Sequence, residues 1–112
     1  MSKKTSPTQR SLAEMRERGY RCAIVEHFNI FAKIRQDLFG FIDIVAIRSD
    51  VPGVLAIQAT TFENRLARMK KVCSEPRALI WAQAGNQIEV WGWRKTKMGK
   101  WEPNPMPVVL KQ

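Results

Sequence analysis

Two short apolar segments in the middle of the chain have the composition of buried β-strands. Residues 41–47 read Phe-Ile-Asp-Ile-Val-Ala-Ile, and residues 54–59 read Val-Leu-Ala-Ile-Gln-Ala. Runs of four to eight aliphatic and aromatic residues are typical of strands that are covered on both faces. Pro52-Gly53 between them predicts a turn, so we expect an antiparallel hairpin.

Around this hairpin, the pattern predicts helices and further strands. Ser6 can cap a helix over residues 7–18, and Gly19 is a natural C-terminal stop. Leu12 and Met15 give that helix one apolar stripe. The remaining expected elements are a strand at 20–25, a loop at 29–36, a helix at 62–73 capped by Thr60-Thr61, a strand or short helix at 77–82, an alternating strand at 87–93 and a short edge strand at 108–110.

The helix expected at residues 62–73 separates basic from apolar positions. Arg65, Arg68 and Lys71 recur every three residues and therefore line one side. Leu66, Met69 and Val72-Cys73 are expected on the apolar side.

The order of elements predicts an α/β or α+β fold, with a central mixed β-sheet flanked by helices. A chain of 112 residues is expected to form one domain over residues 1–112, with its own core. Residues 1–5 are short, basic and expected to be disordered.

The charge balance points to a polyanionic partner. The chain has 19 Lys and Arg against 10 Asp and Glu, a formal net charge of +9. Such an excess favours a polyanionic partner, most simply nucleic acid, over a merely solvated basic surface. The tryptophans of the basic C-terminal stretch would stack on bases or form an apolar layer on the sheet. The candidate DNA-binding residues are Lys33, Arg35, Arg65, Arg68, Lys71, Arg94 and Lys95.

Other classes of protein are disfavoured. Cys22 and Cys73 are too few and too far apart for a zinc site, and both are expected to be buried thiols in a reducing compartment. No stretch approaches the ~20 apolar residues of a membrane span, and no secretory signal is recognisable. We therefore expect a cytoplasmic protein.

Two polar residues interrupt the predicted hairpin. Asp43 lies in the first strand and Gln58 in the second, and burying a carboxylate is costly unless it is paired or binds a metal. Pairing the strands about their turn puts residues whose numbers sum to about 101 opposite each other, so Asp43 and Gln58 are expected to face one another. The sequence therefore predicts a small oxygen-lined site.

Asp43 followed by Gln58-Ala59-Thr60 resembles the core motif of the PD-(D/E)xK nucleases. In that family an Asp on one strand precedes an acid, one spacer and a Lys on the next. Residues 40–43, Gly-Phe-Ile-Asp, are similar to the Gly-x-x-Asp of Holliday junction resolvases and VRR-NUC domains. Gln58 stands at the position of the family acid, and Thr60 at that of the family lysine. The resemblance covers roughly residues 9–93 and implies a restriction-endonuclease-like core.

The resemblance implies a metal-dependent DNA endonuclease, either on duplex or on branched DNA. Asp43, Gln58 and the carbonyl of Ala59 would hold Mg²⁺ or Mn²⁺, since these cations prefer oxygen ligands. Asp37, Glu14 or Glu26 would restore the charge missing at Gln58.

Three of these expectations stay open. Resembling resolvases carry an acid on the first helix, but Glu14 is also placed to pair with Arg18. Since Thr60 is not a Lys, another cation such as Lys33, Arg35 or Arg65 would have to reach the site. The alternatives to an enzyme are a degenerate nuclease fold that only binds nucleic acid, and a small basic protein-binding factor. A homodimer would suit a substrate with two cleavage points.

Overall fold

The computed structural model describes residues 5–110 of the chain. The disorder expected for residues 1–5 therefore falls, apart from Thr5, outside the described residues. A turn of 3-10 helix at Phe62–Asn64 precedes the second α-helix. The elements in chain order are α1 Pro7–Glu17, β1 Arg21–Ile24, β2 His27–Asn29, β3 Ile34–Gln36, β4 Ile44–Arg48, β5 Val51–Thr61, α2 Arg65–Cys73, α3 Pro76–Gln83, β6 Gln87–Lys95 and β7 Trp101–Pro107.

Five strands form one mixed sheet in the order β1-β4-β5-β6-β7. All neighbours are antiparallel except β5 and β6, which run parallel. Parallel neighbours need a long crossover, and here α2 and α3 supply it. Strands β2 and β3 form a separate two-stranded hairpin. The fold is therefore α+β with a mixed central sheet flanked by helices, as the sequence predicted.

The register of the central hairpin confirms the pairing expected from the sequence. Ile44 pairs with Ile57, Val45 with Ala56, and Ala46 with Leu55. The position of the turn was predicted wrongly. The chain turns at residues 49–50, and a register shift after Ala46 brings Arg48 opposite Val51.

Pro52-Gly53 thus lies inside β5 because Gly53 fits against a neighbouring turn. Gly53 has a φ of 78°, and a Cβ there would stand 2.2 Å from the carbonyl oxygen of Gly85. Next to it, the side chain of Asn86 accepts a hydrogen bond of 2.8 Å from the amide of Val54. Glycine at this position therefore serves a close approach between backbones.

Helices cover both faces of the sheet. On one face, Leu12 and Met15 of α1 pack on Ile44, Ile57 and Trp91. Trp91 therefore belongs to an apolar layer, one of the two roles considered for the tryptophans.

The second apolar cluster lies on the opposite face of the sheet. Val72 of α2 and Ala78 of α3 pack on Ala56, Ile88 and Val90. Ile88 and Val90 thus share one face of β6 and Trp91 lies on the other, as the alternation predicted. No helix within residues 5–110 is long and apolar enough to cross a membrane.

The prediction of an edge strand at residues 108–110 is wrong, because the proline-rich segment before these residues forms the edge strand β7. Pro103, Pro105 and Pro107 of β7 stand opposite Trp93, Trp91 and Glu89. In an antiparallel ladder alternate residues direct their N–H groups outward, and proline is tolerated at those positions of an edge strand. Three prolines at alternate positions remove donors from the outer edge of β7, which disfavours the addition of another strand.

Helix α2 departs from its predicted capping and packing. Thr61 makes no side-chain capping bond, and Leu66 is 64% exposed although it was expected on the apolar side. Arg65 packs against the sheet instead, because Gly92 of β6 leaves room for it. A Cβ on Gly92 would stand 2.9 Å from Arg65 Cβ. Cys73, also expected on the apolar side and to be buried, is exposed.

Two segments left open by the sequence are now defined. Residues 77–82 belong to helix α3, with Pro76 in its first turn and the Glu75 carboxylate accepting from the amide of Arg77 at 3.0 Å. The expected loop at residues 29–36 is instead mostly the β2–β3 hairpin. The strand expected at 20–25 is β1, and a new strand begins at His27.

The buried hydrogen bond between α1 and β6 generates a prediction about stability. Trp93 Nε1 donates to Ser11 Oγ at 2.8 Å, and Ser11 Oγ donates to the carbonyl of Pro7 at 2.8 Å. Ser11→Ala should lower the free energy of unfolding by about 1–3 kcal/mol, because the buried indole N–H loses its acceptor. Urea unfolding monitored by circular dichroism measures the change.

Ser74→Ala is the matched control. Ser74 Oγ also donates to the carbonyl four residues earlier, Lys70 O at 2.9 Å, but this bond is exposed. We expect its loss to change the free energy of unfolding by about 0.5 kcal/mol or less. Equal losses in the two variants would contradict the role of the Ser11–Trp93 bond.

Candidate functional site

The site lies at one end of the central sheet. Ile24, at the end of β1, pairs with Ile44, at the start of β4, and Ile44 pairs with Ile57 of β5. The carboxyl ends of β1 and β5 and the amino end of β4 therefore meet at the same end. The residues that immediately precede β4 and follow β1 are consequently brought together there.

Asp43 is the central residue of the site. It precedes β4, and two backbone hydrogen bonds hold it in place. Its amide donates to Ile57 O at 3.0 Å, and its carbonyl accepts from Val25 N at 2.8 Å. Its side chain is 3% exposed, and Oδ2 accepts bonds of 2.8 Å from Gln58 Nε2 and from the amide of Ala59. Asp43 and Gln58 thus face each other, as the register predicted.

Two further acids complete a cluster with Asp43. Carboxylate oxygens of Glu26, Asp37 and Asp43 lie within 4.8 Å of one another. Glu26 lies between β1 and β2, and Asp37 directly follows β3, so the two residues stand at the base of the β2–β3 hairpin. The hairpin closes on itself, which returns Asp37 to the same end of the sheet as Glu26 and Asp43.

This environment makes Asp43 a weak acid. Burial, followed by the hydrogen bond and the charge of Asp37, raises the pKa of Asp43 from 3.8 to about 8. The charge of Glu26 also raises it, whereas the amide of Ala59 lowers it. Without a cation, Asp43 is therefore largely protonated at neutral pH.

The chemistry of the donor atoms fits a hard divalent cation. Three carboxylates converge, and Gln58, which is 1% exposed, has a buried Oε1 that accepts no hydrogen bond from residues 5–110. A buried acceptor without a partner carries a desolvation cost, and Mg²⁺ or Mn²⁺ binds carboxylate and amide oxygens. Glu26, Asp37 and Asp43 could together hold such an ion, and Gln58 would join them only after its amide turned, because its Nε2 donates to Asp43.

A cleft bordered by cations opens beside the cluster. It has a volume of about 520 Å³, and Asp37, Arg35 and Lys71 contribute to its lining. Lys71 Nζ is 3.8 Å from Asp37 Oδ2, and Arg35 Nη1 is 3.7 Å from Glu26 Oε1. The acids therefore lie at the boundary between the interior and a positively charged surface.

The loop that supports Asp37 is tightly built. Phe39 and Gly40 have φ values of 54° and 79°. A Cβ on Gly40 would stand 2.8 Å from both Arg77 Nη2 and Glu75 Oε1, which bond to each other at 2.7 Å. The start of α3 thus braces the segment between Asp37 and Asp43.

The structure places the other predicted catalytic residues differently. Glu14 is not among the three clustered acids, and its Oε2 accepts from Arg18 Nε at 2.9 Å on α1. Thr60 is buried on β5. Ala59 contacts Asp43 through its amide, whereas the resemblance implied a role for its carbonyl.

The predicted DNA-binding residues are dispersed around this end of the sheet. Arg65 Nη1 donates to Phe62 O at 2.7 Å, and its guanidinium stacks on the Phe62 ring at 3.5 Å. Arg94 stacks on the same ring from 4.9 Å, and Lys95 lies 5.9 Å from the Trp101 ring. Arg68 is half-buried on α2.

Sequence reasoning underrated two residues of the site. Glu26 was considered only as a substitute for lost charge, and Lys71 only as a DNA contact. The signal for Glu26 was its position directly after a strand that pairs with the strand following Asp43. The proximity of Lys71 to Asp37 had no signal in the local pattern, because it depends on how α2 packs over the sheet.

The raised pKa of Asp43 predicts how stability changes with pH. Folding raises this pKa from 3.8 to about 8, so the carboxyl favours folding fully below pH 3.8, and this contribution is lost as the pH rises to about 8. Asp43→Asn should therefore stabilise the metal-free protein at pH 8, by on the order of 1 kcal/mol or ~4 °C. The gain should shrink toward pH 3.8. Thermal unfolding in EDTA across this range measures it.

Asp50→Asn is the control for that experiment. Asp50 is exposed, and the hydrogen bond from Arg48 lowers its pKa, so its removal should give no gain that grows with pH. A difference between Asp43→Asn and wild type that does not depend on pH would contradict the raised pKa.

Comparison with known proteins identifies no relative for this arrangement. No family model, curated protein or solved structure matches the chain. The functional assignment therefore depends on the geometry around Asp43 and on the resemblance of residues 40–43 and 58–60 to a nuclease motif.

Proposed function

We propose that this protein is a metal-dependent nuclease that acts on DNA. The observation that carries the proposal is the buried Asp43, bonded to Gln58 and Ala59 and clustered with Glu26 and Asp37. An isolated buried carboxylate would be costly, and three converging acids can all be ionised together only if a cation offsets their repulsion. A cation site is therefore the arrangement's best physical explanation.

The cation would be held by Asp43, Asp37, Glu26 and the amide oxygen of Gln58. At such a site a divalent cation supplies activation of a water molecule and stabilisation of negative charge on a phosphate. For the oxygen of Gln58 to face the ion, its amide would turn, since its Nε2 now donates to Asp43. Glu26 and Asp37 offset the carboxylate missing at position 58.

Lys71 is the best substitute for the lysine missing at Thr60. Its ammonium group is 3.8 Å from Asp37 Oδ2, it lines the cleft and it is half exposed. A preorganised cation at this place would stabilise charge that develops on a phosphate next to the acids. Lys33 and Arg65, which were also considered for this role, contribute to neither the cleft lining nor the ion pairs of the acids.

The charge of the whole chain favours DNA as the polyanion. The chain carries a net charge of +9 in addition to one local cluster of acids. Basic residues attract the phosphate backbone and release its counterions, so binding should weaken steeply as salt rises. The cleft would give a scissile phosphate access to Asp37, the one acid of the cluster that lines it.

Asp43→Asn tests the assignment directly. It should abolish Mg²⁺- or Mn²⁺-dependent cleavage and weaken Mn²⁺ binding, while it preserves DNA binding, because the neutral side chain removes charge from the ion's ligands. Calorimetric Mn²⁺ titration and cleavage of linear and branched DNA measure the effects. Since the metal-free variant is expected to be more stable than metal-free wild type at pH 8, lost cleavage would not reflect an unfolded variant.

Glu14→Gln provides the comparison, because Glu14 pairs with Arg18 outside the cluster, and its cleavage should stay near that of wild type. Equal cleavage by Asp43→Asn and wild type would show that the site is wrongly assigned. If wild type binds DNA but neither binds metal nor cleaves the DNA, the protein is a non-cutting nucleic-acid-binding module. Failure to bind DNA at low salt would favour the protein-binding alternative.

Lys71→Ala tests the substituted cation. We expect cleavage to fall by roughly 10²-fold, the usual effect of removing one donor that stabilises developing charge. Lys70→Ala removes an equal charge from the adjacent exposed position, so only a modest effect through DNA binding is expected. Single-turnover cleavage at saturating protein separates an effect on the chemical step from an effect on DNA binding. Equal losses would show that Lys71 acts only through the overall charge.

A further inference from the structure

The β2–β3 hairpin projects from the acidic cluster and has an ordered tip. His27 pairs with Gln36 and Asn29 with Ile34, while Glu26 and Asp37 flank the two strands. At the tip, Asn29 Oδ1 accepts bonds of 3.0 Å from the amides of Phe31 and Ala32. The position of the tip relative to the acids is thus set by local bonds.

The hairpin exposes large apolar side chains that its own fold does not use. Phe31 is 97% exposed at the tip, and Ile30, Phe28 and Ile34 are each more than half exposed. No other aromatic residue among the described residues is as exposed as Phe31. Clustered apolar exposure of this kind marks an interaction surface.

The charge of the same segment indicates what the surface contacts. Residues 27–36 contain Lys33 and Arg35 and no acidic residue, and the whole chain carries +9. A second copy of this chain would bring like charges together, whereas a nucleic acid offers phosphates for the basic groups and bases for the apolar ones. Proteins that insert apolar wedges between base steps combine these same two kinds of contact.

We propose that the hairpin is a wedge that inserts Phe31 at an opened base step of the DNA substrate. The inference rests on the proposed nuclease function and narrows its substrate to DNA with a weakly stacked step, such as a bulge, a mismatch or a branch point. Phe31 stacks on the unpaired base, and Lys33 contacts the adjacent phosphates. At about 3.3 Å per residue, the strands hold this step on the order of 10 Å from the acids.

A fluorescence experiment in EDTA, where no metal-dependent cleavage occurs, tests the wedge separately from catalysis. The probe is a duplex with 2-aminopurine beside a two-nucleotide bulge, whose fluorescence rises when the base is unstacked from its neighbours. Wild type should raise the signal. Phe31→Ala should lose most of the rise and bind this DNA roughly tenfold more weakly.

Two further variants provide the controls. Phe31→Tyr should keep the rise, because it keeps the aromatic face. Val109→Ala should behave as wild type, since Val109 is 87% exposed and follows β7 near the opposite end of the sheet. Circular dichroism should show all variants folded, because both side chains lie in solvent.

Each outcome decides the inference. A wild-type signal that does not rise, or a rise that Phe31→Ala retains, overturns the wedge. The wedge is also overturned if wild type is a dimer and Phe31→Ala makes it a monomer without any loss of DNA unstacking. That result would assign the hairpin to self-association. If wild type unstacks the base but does not cleave DNA in Mn²⁺, the wedge is supported and the nuclease proposal fails. If wild type cleaves DNA but does not unstack the base, the nuclease proposal is supported and the wedge fails.

Discussion

The burial of the Asp43 carboxyl is the constraint on which the rest of the site depends. Its backbone is fixed between β1 and β5, so the side chain cannot move out to water without disturbing the sheet. Gln58 and Ala59 supply the donors that a buried carboxyl requires. The neighbouring acids oppose these bonds, and the result is a group that is neutral without a cation and ready to ionise with one.

That arrangement gathers several unfavourable terms at one place. Asp37 and Glu26 raise the pKa of Asp43, and Arg35 and Lys71 only partly offset their charges from the surface. The left-handed Phe39 and Gly40 hold the connecting loop in a conformation that glycine adopts readily and phenylalanine seldom does. Unfavourable terms gathered at one site are typical of functional sites rather than of structural cores.

Two basic residues, Arg35 and Lys71, border the site. Glu26, Asp37 and Asp43 form one compact group, whereas lysine and arginine outnumber acidic residues in the chain as a whole. The hairpin that carries Arg35 exposes large apolar side chains, Phe31 above all.

The sequence by itself determined the elements whose signals are local. Apolar runs and alternation identified β4, β5 and β6. Pairing the strands of the hairpin about their connecting turn placed Asp43 opposite Gln58. The sequence misplaced the turn at Pro52-Gly53, because the reason for Gly53 is the carbonyl of Gly85, far along the chain.

Tertiary structure alone decided how the site is completed. Glu26 and Asp37 are separated by a whole hairpin, and Lys71 approaches through the packing of α2. Glu14, a candidate on its helix, pairs with Arg18 instead. A local pattern specifies which residues share a strand or a helix face, whereas distances between elements depend on packing that no short window of sequence contains.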